Sequence, residues 1–217
     1  LSGESGLLAW LKEAGIPYTS QVLLGMLLLD LLNYGLHRVF HRIPLLWRLH
    51  QVHHSDTAVN ASTHFRQHPV QVVVLPLMQL PMLWLLGISG VSWVLYATLS
   101  TVAQLWQHAE PGKLAHANRW LGFVLITRSA HRTHHDQRHV FHDRNYGTLF
   151  SVWDRLLGTY SAAPAEFQLG LRKLPSAKGT TQSVSFMDCL RMPFQSTTSR
   201  SADGARTQFH TPFQGKK

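Results

Sequence analysis

The sequence predicts an all-α fold, that of an integral membrane protein with three to four spans. Three features of the 217-residue chain support this prediction. Residues 67–109 form a run of 43 residues without Asp, Glu, Lys or Arg, although 14% of the whole chain is charged. Residues 16–36 are rich in Leu and contain one charged side chain. Histidines recur beside these runs at spacings of three and four residues, which places them on one helix face.

The two apolar runs have the lengths that membrane helices require. A span needs about 20 mostly apolar residues, so residues 16–36 predict one span and residues 67–109 predict two. The turn sequence Gly87-Ile88-Ser89-Gly90 predicts a hairpin whose ends return to the same side of the membrane. Asp30, inside the first run, is expected to face the interior of the bundle, as intramembrane carboxylates usually do. A shorter apolar stretch, 120–126, is expected to be interfacial or re-entrant.

Composition sets the domain boundaries. Residues 1–194 are predicted to form one membrane-embedded domain, and residues 195–217, rich in Ser, Thr, Gln and basic side chains, are predicted to be a disordered tail. The chain starts with Leu and lacks a recognisable leader, so we expect a further segment upstream of it. A soluble helical protein with a buried hairpin is the alternative, but a domain of this size has too small a core to hide so many uncharged residues.

Basic residues lie on one predicted side of the membrane, where they follow the first span and flank the hairpin. They are Arg38, Arg42, Arg48, Arg66, Lys113, Arg119, Arg128, Arg132, Arg138 and Arg144. The positive-inside rule places this side in the cytoplasm. The net charge of +9 would also fit a nucleic-acid-binding protein, but membrane topology already explains the clustering, so no nucleic-acid partner is expected.

The supply of metal-binding side chains is dominated by imidazole. The single cysteine, Cys189, excludes a disulfide framework, a cysteine-based zinc ribbon and a CxxC redox centre. None of the four Glu is followed by a His three residues later, so a carboxylate-bridged di-iron bundle lacks its ligands. In contrast, 14 of the 15 His lie between His37 and His142.

Three short histidine clusters carry the chemistry. They are His37-x3-His41, His50-x2-His53-His54 and His131-x2-His134-His135. Residues three and four apart share a helix face, so the imidazoles of each cluster can approach one metal ion. The predicted hairpin returns His108 to the same side of the membrane, which makes it a ninth candidate ligand.

The number of donors predicts two metal ions. A closed zinc site takes about four ligands, so nine imidazoles exceed what one ion can use. Imidazole binds Zn, Cu, Fe and Ni, so the donor type leaves the metal open. A site at the bilayer surface with few carboxylates suits activation of O2 for attack on a lipid C–H bond, which needs a redox metal and favours two Fe ions. Zinc can still occupy such a site in purified protein.

The order of these motifs resembles the fatty acid hydroxylase/sterol desaturase superfamily of membrane di-iron oxygenases, and most closely its bacterial sterol-desaturase-like members. The resemblance covers about residues 21–194. Besides the three clusters it rests on Ser55, His68-Pro69, Gln107-His108, Asn145-Tyr146-Gly147 and the segment Trp153-Asp154-Arg155-Leu156-Leu157-Gly158-Thr159-Tyr160.

The resemblance implies membrane helices under a helical cytosolic cap that holds two irons. The ligands would be His37, His41, His50, His53, His54, His108, His131, His134 and His135. It further implies an enzyme that hydroxylates or desaturates an acyl chain, sterol or related lipid. O2 would be the co-substrate, and an electron-donor protein or reductase system would supply electrons.

One departure from the family pattern concerns Gln104. Some relatives carry a pair of His four residues apart where this chain has Gln104 and His108, so one ligand is missing. Asp136 and Asp143 are candidates to orient imidazoles through the second ring nitrogen, and Asn145 is a further candidate, although caps and turns explain such residues equally well. The candidates for the missing donor are His64, His68, His116, His139 and His142.

Two other functions keep the metal and discard the oxygen chemistry. A zinc-dependent membrane hydrolase would use a metal-bound water, but such enzymes usually have a carboxylate base beside the ligands, and no Glu lies inside any histidine cluster. A non-catalytic metal-binding or transport protein would place polar residues along a path through the spans. Asp30, Gln79 and Gln104 are the residues that favour it.

Overall fold

A computed structural model of the chain describes residues 6–109, 121–171 and 185–195. These ranges contain helices and no β-strand, so the predicted all-α fold is confirmed; two isolated bridges join Leu125 to Phe150 and Asp136 to Leu169. The α-helices are α1 (Ala9–Glu13), α2 (Tyr18–Arg42), α3 (Pro44–His54), α4 (Pro69–Leu86), α5 (Gly90–His108), α6 (Arg128–His134), α7 (His139–His142), α8 (Val152–Leu156) and α9 (Phe186–Arg191). Short 3-10 helices cover Ala61–Phe65 and Met192–Phe194.

A sharp bend between α2 and α3 brings the first two histidine clusters together. Helix α2 has 25 residues and ends at Arg42. Ile43 precedes a proline, which disfavours helical backbone angles, and it is extended at φ −87° and ψ 116°. Pro44 then starts α3, where its missing N–H leaves no hydrogen bond unmade. The end of α2 therefore lies against α3.

The predicted hairpin is present as α4 and α5. Helix α4 starts at Pro69, with the ring of His68 accepting a hydrogen bond from the Val70 N–H at 3.2 Å. It ends at Leu86 and is capped by Gly87, whose φ of 70° is a left-handed conformation that glycine adopts easily. The Ser89 side chain accepts from the Ser92 N–H and starts α5. His108 is the last residue of α5.

Two of the described helices, α2 and α4, are long and apolar enough to cross a membrane. The predicted count of three to four spans is not confirmed: α5 has no charged residue but carries several Ser, Thr and Gln side chains. Large apolar side chains on the hairpin are open to the surroundings, such as Leu77 (60% exposed) and Val102 (60%). Such a surface suits contact with lipid, and together with the two long apolar helices it indicates a membrane protein.

Some sequence predictions fall outside the described residues. They are the tail from residue 196 onward, the candidate ligand His116, and residue 120 of the short apolar stretch. The described part of that stretch exposes Leu121 and Val124, at 45% and 56%. Its interfacial position stays a prediction.

Asp30 faces the interior of the bundle, as predicted, and is fully buried. Its carboxylate accepts hydrogen bonds from Tyr96 Oη (2.9 Å) and Trp153 Nε1 (2.8 Å). It also accepts from the backbone N–H groups of Leu149 (2.9 Å) and Phe150 (3.1 Å). One side chain of α2 thus binds α5 and the segment that leads into α8.

Candidate metal centre

The nine predicted ligands meet in two neighbouring groups. In the five-His group (His37, His41, His50, His54 and His134), one ring nitrogen of each residue lies within 4.8 Å of those of the others. The same holds for the four-His group (His53, His108, His131 and His135). Both groups are formed by the ends of helices, with His108 at the end of the hairpin.

Each of the two three-histidine clusters, or triplets, contributes to both groups, and the second does so in the opposite way to the first. The first triplet is His50, His53 and His54, and the second is His131, His134 and His135. His50 and His54, four residues apart on α3, belong to the five-His group, whereas His53 belongs to the four-His group. In the second triplet, His131 and His135 belong to the four-His group and His134 to the five-His group. The reason is helical geometry, because the side chains of adjacent helical residues are rotated by about 100° from each other around the helix axis. The groups touch where the rings of His54 and His135 stack, with centroids 4.5 Å apart.

Backbone carbonyls fix the ring tautomers. A carbonyl oxygen can only accept, so the imidazole nitrogen facing it carries the hydrogen. The Nδ1–H of His53 donates to Thr63 O (3.1 Å) and that of His108 to Gln104 O (2.6 Å). In the same way His37 Nδ1–H donates to Tyr146 O and His134 Nδ1–H to Arg144 O, both at 2.8 Å. In all four rings Nε2 keeps its lone pair.

These lone pairs point at one another. The Nε2 atoms of His53 and His108 are 3.3 Å apart, although neither carries a hydrogen to share. In the other group, His37 Nε2 lies 3.1 Å from Nε2 of His50, whose Nδ1–H donates to Gln71 Oε1 at 3.3 Å. Two bare nitrogens at this distance repel unless a cation binds both. Donors about 2.0–2.1 Å from one ion lie roughly 2.9–3.4 Å from each other, which matches these distances.

Buried imidazole nitrogens without hydrogen-bond partners also indicate that a cation binds at this site. Among the described residues, both ring nitrogens of His41 and of His54 lack a hydrogen-bond partner, as does Nε2 of His134. Burial lowers the pKa of His54 and His134 well below the usual value, and repulsion from neighbouring imidazoles adds to this. The rings are therefore neutral, which is the form that binds metal. The donor set fits two metal ions.

The segment after α7 holds the candidate ligands in position. Asn145, at a φ of 54°, donates from Nδ2 to Ala130 O (3.0 Å) and Ser161 O (2.9 Å), which ties α6 to this segment. Asp154 accepts from the N–H groups of Tyr146 and Gly147, both at 2.8 Å. The Tyr146 carbonyl is thereby set against His37. A Cβ on Gly147 would lie 2.5 Å from Phe150 O, so the turn requires glycine.

The remaining candidate histidines differ in their distance from the two groups. His64 has a buried, unpartnered Nδ1 and its ring centre is 6.1 Å from that of His108, but it belongs to neither group. His68 caps α4, and its Nε2 lies 3.3 Å from Leu190 O, so it is not placed as a ligand. His139 is exposed. His142 lies beside the five-His group, with a ring nitrogen within 4.8 Å of those of His41 and an oxygen of Asp143.

The two candidate carboxylates have different partners. Asp143 Oδ1 is 3.4 Å from His41 Nδ1 without forming a hydrogen bond to it, and its side chain is 57% exposed, so its role in orienting this imidazole stays a prediction. In the described ranges, Asp136 makes no hydrogen bond to an imidazole. Its oxygens accept from the Arg138 guanidinium (2.8 and 2.6 Å) and from the Gln168 N–H (3.0 Å). Of the two explanations that the sequence left open for Asp136, these contacts favour a structural one, in which its carboxylate binds Arg138.

Sequence reasoning missed most of the groups that orient the imidazoles. The carbonyls of Thr63, Gln104, Arg144 and Tyr146 have no sequence signature, since any residue supplies a carbonyl. Gln71 was missed although it lies in an apolar helix, where an amide needs a polar partner. A cavity of about 270 Å³ lies beside the ligands, between α2, α4 and α5, and reaches His37, His50, His53 and His131.

Comparison with known proteins agrees with this geometry. The sequence pattern of the family described as Fatty acid hydroxylase matches residues 22–159, which include all nine histidines. The chain belongs to the fatty acid hydroxylase family. The short helices α6 and α7, the Asn145 turn and α8 all lie inside the matched region of this family.

Several relatives have been named for their reactions. The chain is 30% identical to human alkylglycerol monooxygenase over 64% of this chain and 30% of the human protein. It is 29% identical to an ornithine lipid hydroxylase of Rhizobium tropici over 68% of this chain and 44% of that protein. Mouse lathosterol oxidase is 30% identical over 64% and 44%. The match thus spans less than half of each of these relatives, all of them oxidoreductases by name. No solved structure matches the chain significantly.

Proposed function

We propose that this chain is the catalytic core of a membrane enzyme that hydroxylates a lipid with O2, using two irons held by the five-His and four-His groups. The observation that carries the proposal is the set of inward-facing bare Nε2 atoms beside a cavity between apolar helices. The relatives named alkylglycerol monooxygenase and ornithine lipid hydroxylase support hydroxylation over desaturation.

Each residue of the centre has a definite task. The carbonyls of Thr63 and Gln104 hold the Nδ1 hydrogens of His53 and His108, so that both Nε2 atoms stay free to bind metal. Burial of the four-His group keeps water away from the reacting carbon. When bound, the pair of irons supplies the redox chemistry that activates O2 toward an unactivated C–H bond.

The cavity, the apolar helix surfaces and the flanking basic residues indicate what the centre interacts with. The cavity lies between helices whose outer surfaces are apolar, so a lipid can enter from the membrane. The oxygen chemistry requires electrons, and we propose an electron-donor protein or reductase system as the partner that supplies them. The basic residues that flank the spans favour a multi-pass protein with the centre on the cytoplasmic side.

The experiment that tests the proposal loads the protein with ferrous iron without air and then adds O2, a chemical reductant and lipid. The expected result is about two irons per chain, as the donor groups require. A hydroxylated lipid should also form, with its new oxygen derived from isotopically labelled dioxygen. A label that comes from water, or lipid cleavage that needs zinc and ignores O2, would reject the proposal in favour of a zinc-dependent hydrolase.

A further inference from the structure

The two donor groups of the metal centre differ by one imidazole. The five-His group has one more histidine than the four-His group. On α5, Gln104 stands one turn before His108, at the position where the family pattern places a further histidine in some relatives. The Gln104 side chain donates from Nε2 to Ser100 O at 3.2 Å, one turn further from His108. The four-His group therefore lacks the donor that this position supplies in those relatives.

His64 lies beside the four-His group. Its ring centre is 6.1 Å from that of His108. Ring pairs within the four-His group span a range that includes this distance, from 4.3 Å for His108 and His131 to 6.4 Å for His53 and His131. His64 also lines the same cavity as His53 and His131. The separation between His64 and His108 is thus one that two candidate ligands of the same ion show.

The local backbone holds His64 in this place. His64 belongs to the 3-10 helix Ala61–Phe65 and directly follows Thr63, whose carbonyl accepts a hydrogen bond from the Nδ1–H of His53 at 3.1 Å. Thr63 is buried, and its Oγ1 donates to Asp56 Oδ2 at 2.6 Å. The short helix that orients one ligand of the four-His group therefore also carries the His64 side chain beside that group.

The His64 ring has an unused nitrogen. Within the part of the chain that the structure describes, His64 Nδ1 is buried and has no hydrogen-bond partner. The ring of Phe65, with its centre 4.9 Å away, offers no polar group. A buried polar atom without a partner costs free energy, and a metal ion bound by the ring would remove that cost. In this respect His64 resembles His41 and His54, the candidate ligands of the five-His group whose ring nitrogens also lack partners among the described residues.

We propose that His64 is a fifth donor to the ion of the four-His group and supplies the ligand that Gln104 does not. The inference rests on the proposed function, from which it takes the two-ion centre, and adds a residue to the ligands. With His64, each ion has five imidazole donors. A side chain that binds one ion directly affects that ion alone when it is replaced, whereas a side chain that only supports the fold affects both ions.

The test uses the full chain in nanodiscs, loaded with Co²⁺ as a probe whose visible absorption changes with its coordination geometry. His64→Ala and His64→Leu should weaken retention of one ion in chelator competition by at least about tenfold, the smaller loss expected when a residue that only orients a ligand is removed. The absorption of that ion should rise because fewer donors remain, and it should be the ion that His53→Ala depletes. Gln104→His, added to His64→Ala, should restore retention, whereas His139→Ala, which replaces an exposed histidine, should keep both ions.

Wild-type retention and absorption of Co²⁺ in the His64 variants would overturn the inference, as would equal weakening of both ions. A loss that Gln104→His does not restore would overturn the claim that His64 replaces that donor. If His64→Ala fails to fold, His64→Leu, which keeps the site filled, decides the result. Loss of one ion in the His64 variants, in a protein that forms no product with iron and O2, would reject the hydroxylase and keep the ligand. O2-dependent product with unchanged metal binding in these variants would reject the ligand alone.

Discussion

Replacing Asp30 by Asn tests how the buried carboxylate of α2 supports the metal centre. The side chain is fully buried and accepts four hydrogen bonds. In Asp30→Asn one oxygen can still accept from Tyr96 and Leu149. The new amide NH2 then faces two other donors, the N–H of Phe150 and the indole of Trp153. Two buried donors are left unpaired, at about 1–3 kcal/mol each, which predicts a loss of about 2–6 kcal/mol of stability.

The measurement is unfolding of detergent-solubilised protein, with metal content determined on the same samples. Asp30→Asn should unfold at lower temperature and retain less metal, because the segment from Leu149 to Trp153 leads directly from the turn that orients His37. Glu13→Gln makes the same chemical change at an exposed position of α1 and should leave both unchanged. Wild-type stability in Asp30→Asn would refute the hydrogen-bond reasoning.

Three further predictions concern the metal centre itself. His53→Ala and His54→Ala change adjacent residues but should deplete different ions, the first weakening the four-His site and the second the five-His site, as metal-site spectroscopy can resolve. Gln71→Leu removes the acceptor for His50 Nδ1–H and should weaken the five-His site by about 10–100-fold in chelator competition. Burial lowers the pKa of the histidines of α3 and α6, so unfolded protein binds more protons and the metal-free protein should lose stability as the pH falls below about 6.5 in unfolding experiments. Constant stability of the metal-free protein down to pH of about 5 would contradict this last prediction.

Spacing alone was enough to predict which histidines come together. Clusters such as His50-x2-His53-His54 place imidazoles on a helix face, and a charge-free run with a Gly-rich turn places His108 beside them, so the ligand candidates could be read from local periodicity. The division of each triplet between two groups could not be predicted in this way. It depends on how α3 and α6 are packed against each other, which is set by the bend at Pro44 and by the Asn145 turn.

The groups that orient the ligands were predicted poorly for a physical reason. Asp136 follows the candidate ligand His135 in sequence, but the guanidinium of Arg138, two residues away, binds its carboxylate. Conversely, the Tyr146 carbonyl orients His37 across 109 residues of sequence, which no local pattern can indicate. Asp30 was correctly predicted to face inward. Its hydrogen-bond partners in α5 and at Trp153 are distant in sequence, so they could be identified only from the packed structure.

The most direct measurement is anomalous X-ray diffraction at the iron edge from crystals of iron-loaded protein. The account predicts two peaks, one within bonding distance of Nε2 of His53 and His108 and the other within bonding distance of Nε2 of His37 and His50. A single peak, or peaks away from these nitrogens, would contradict it.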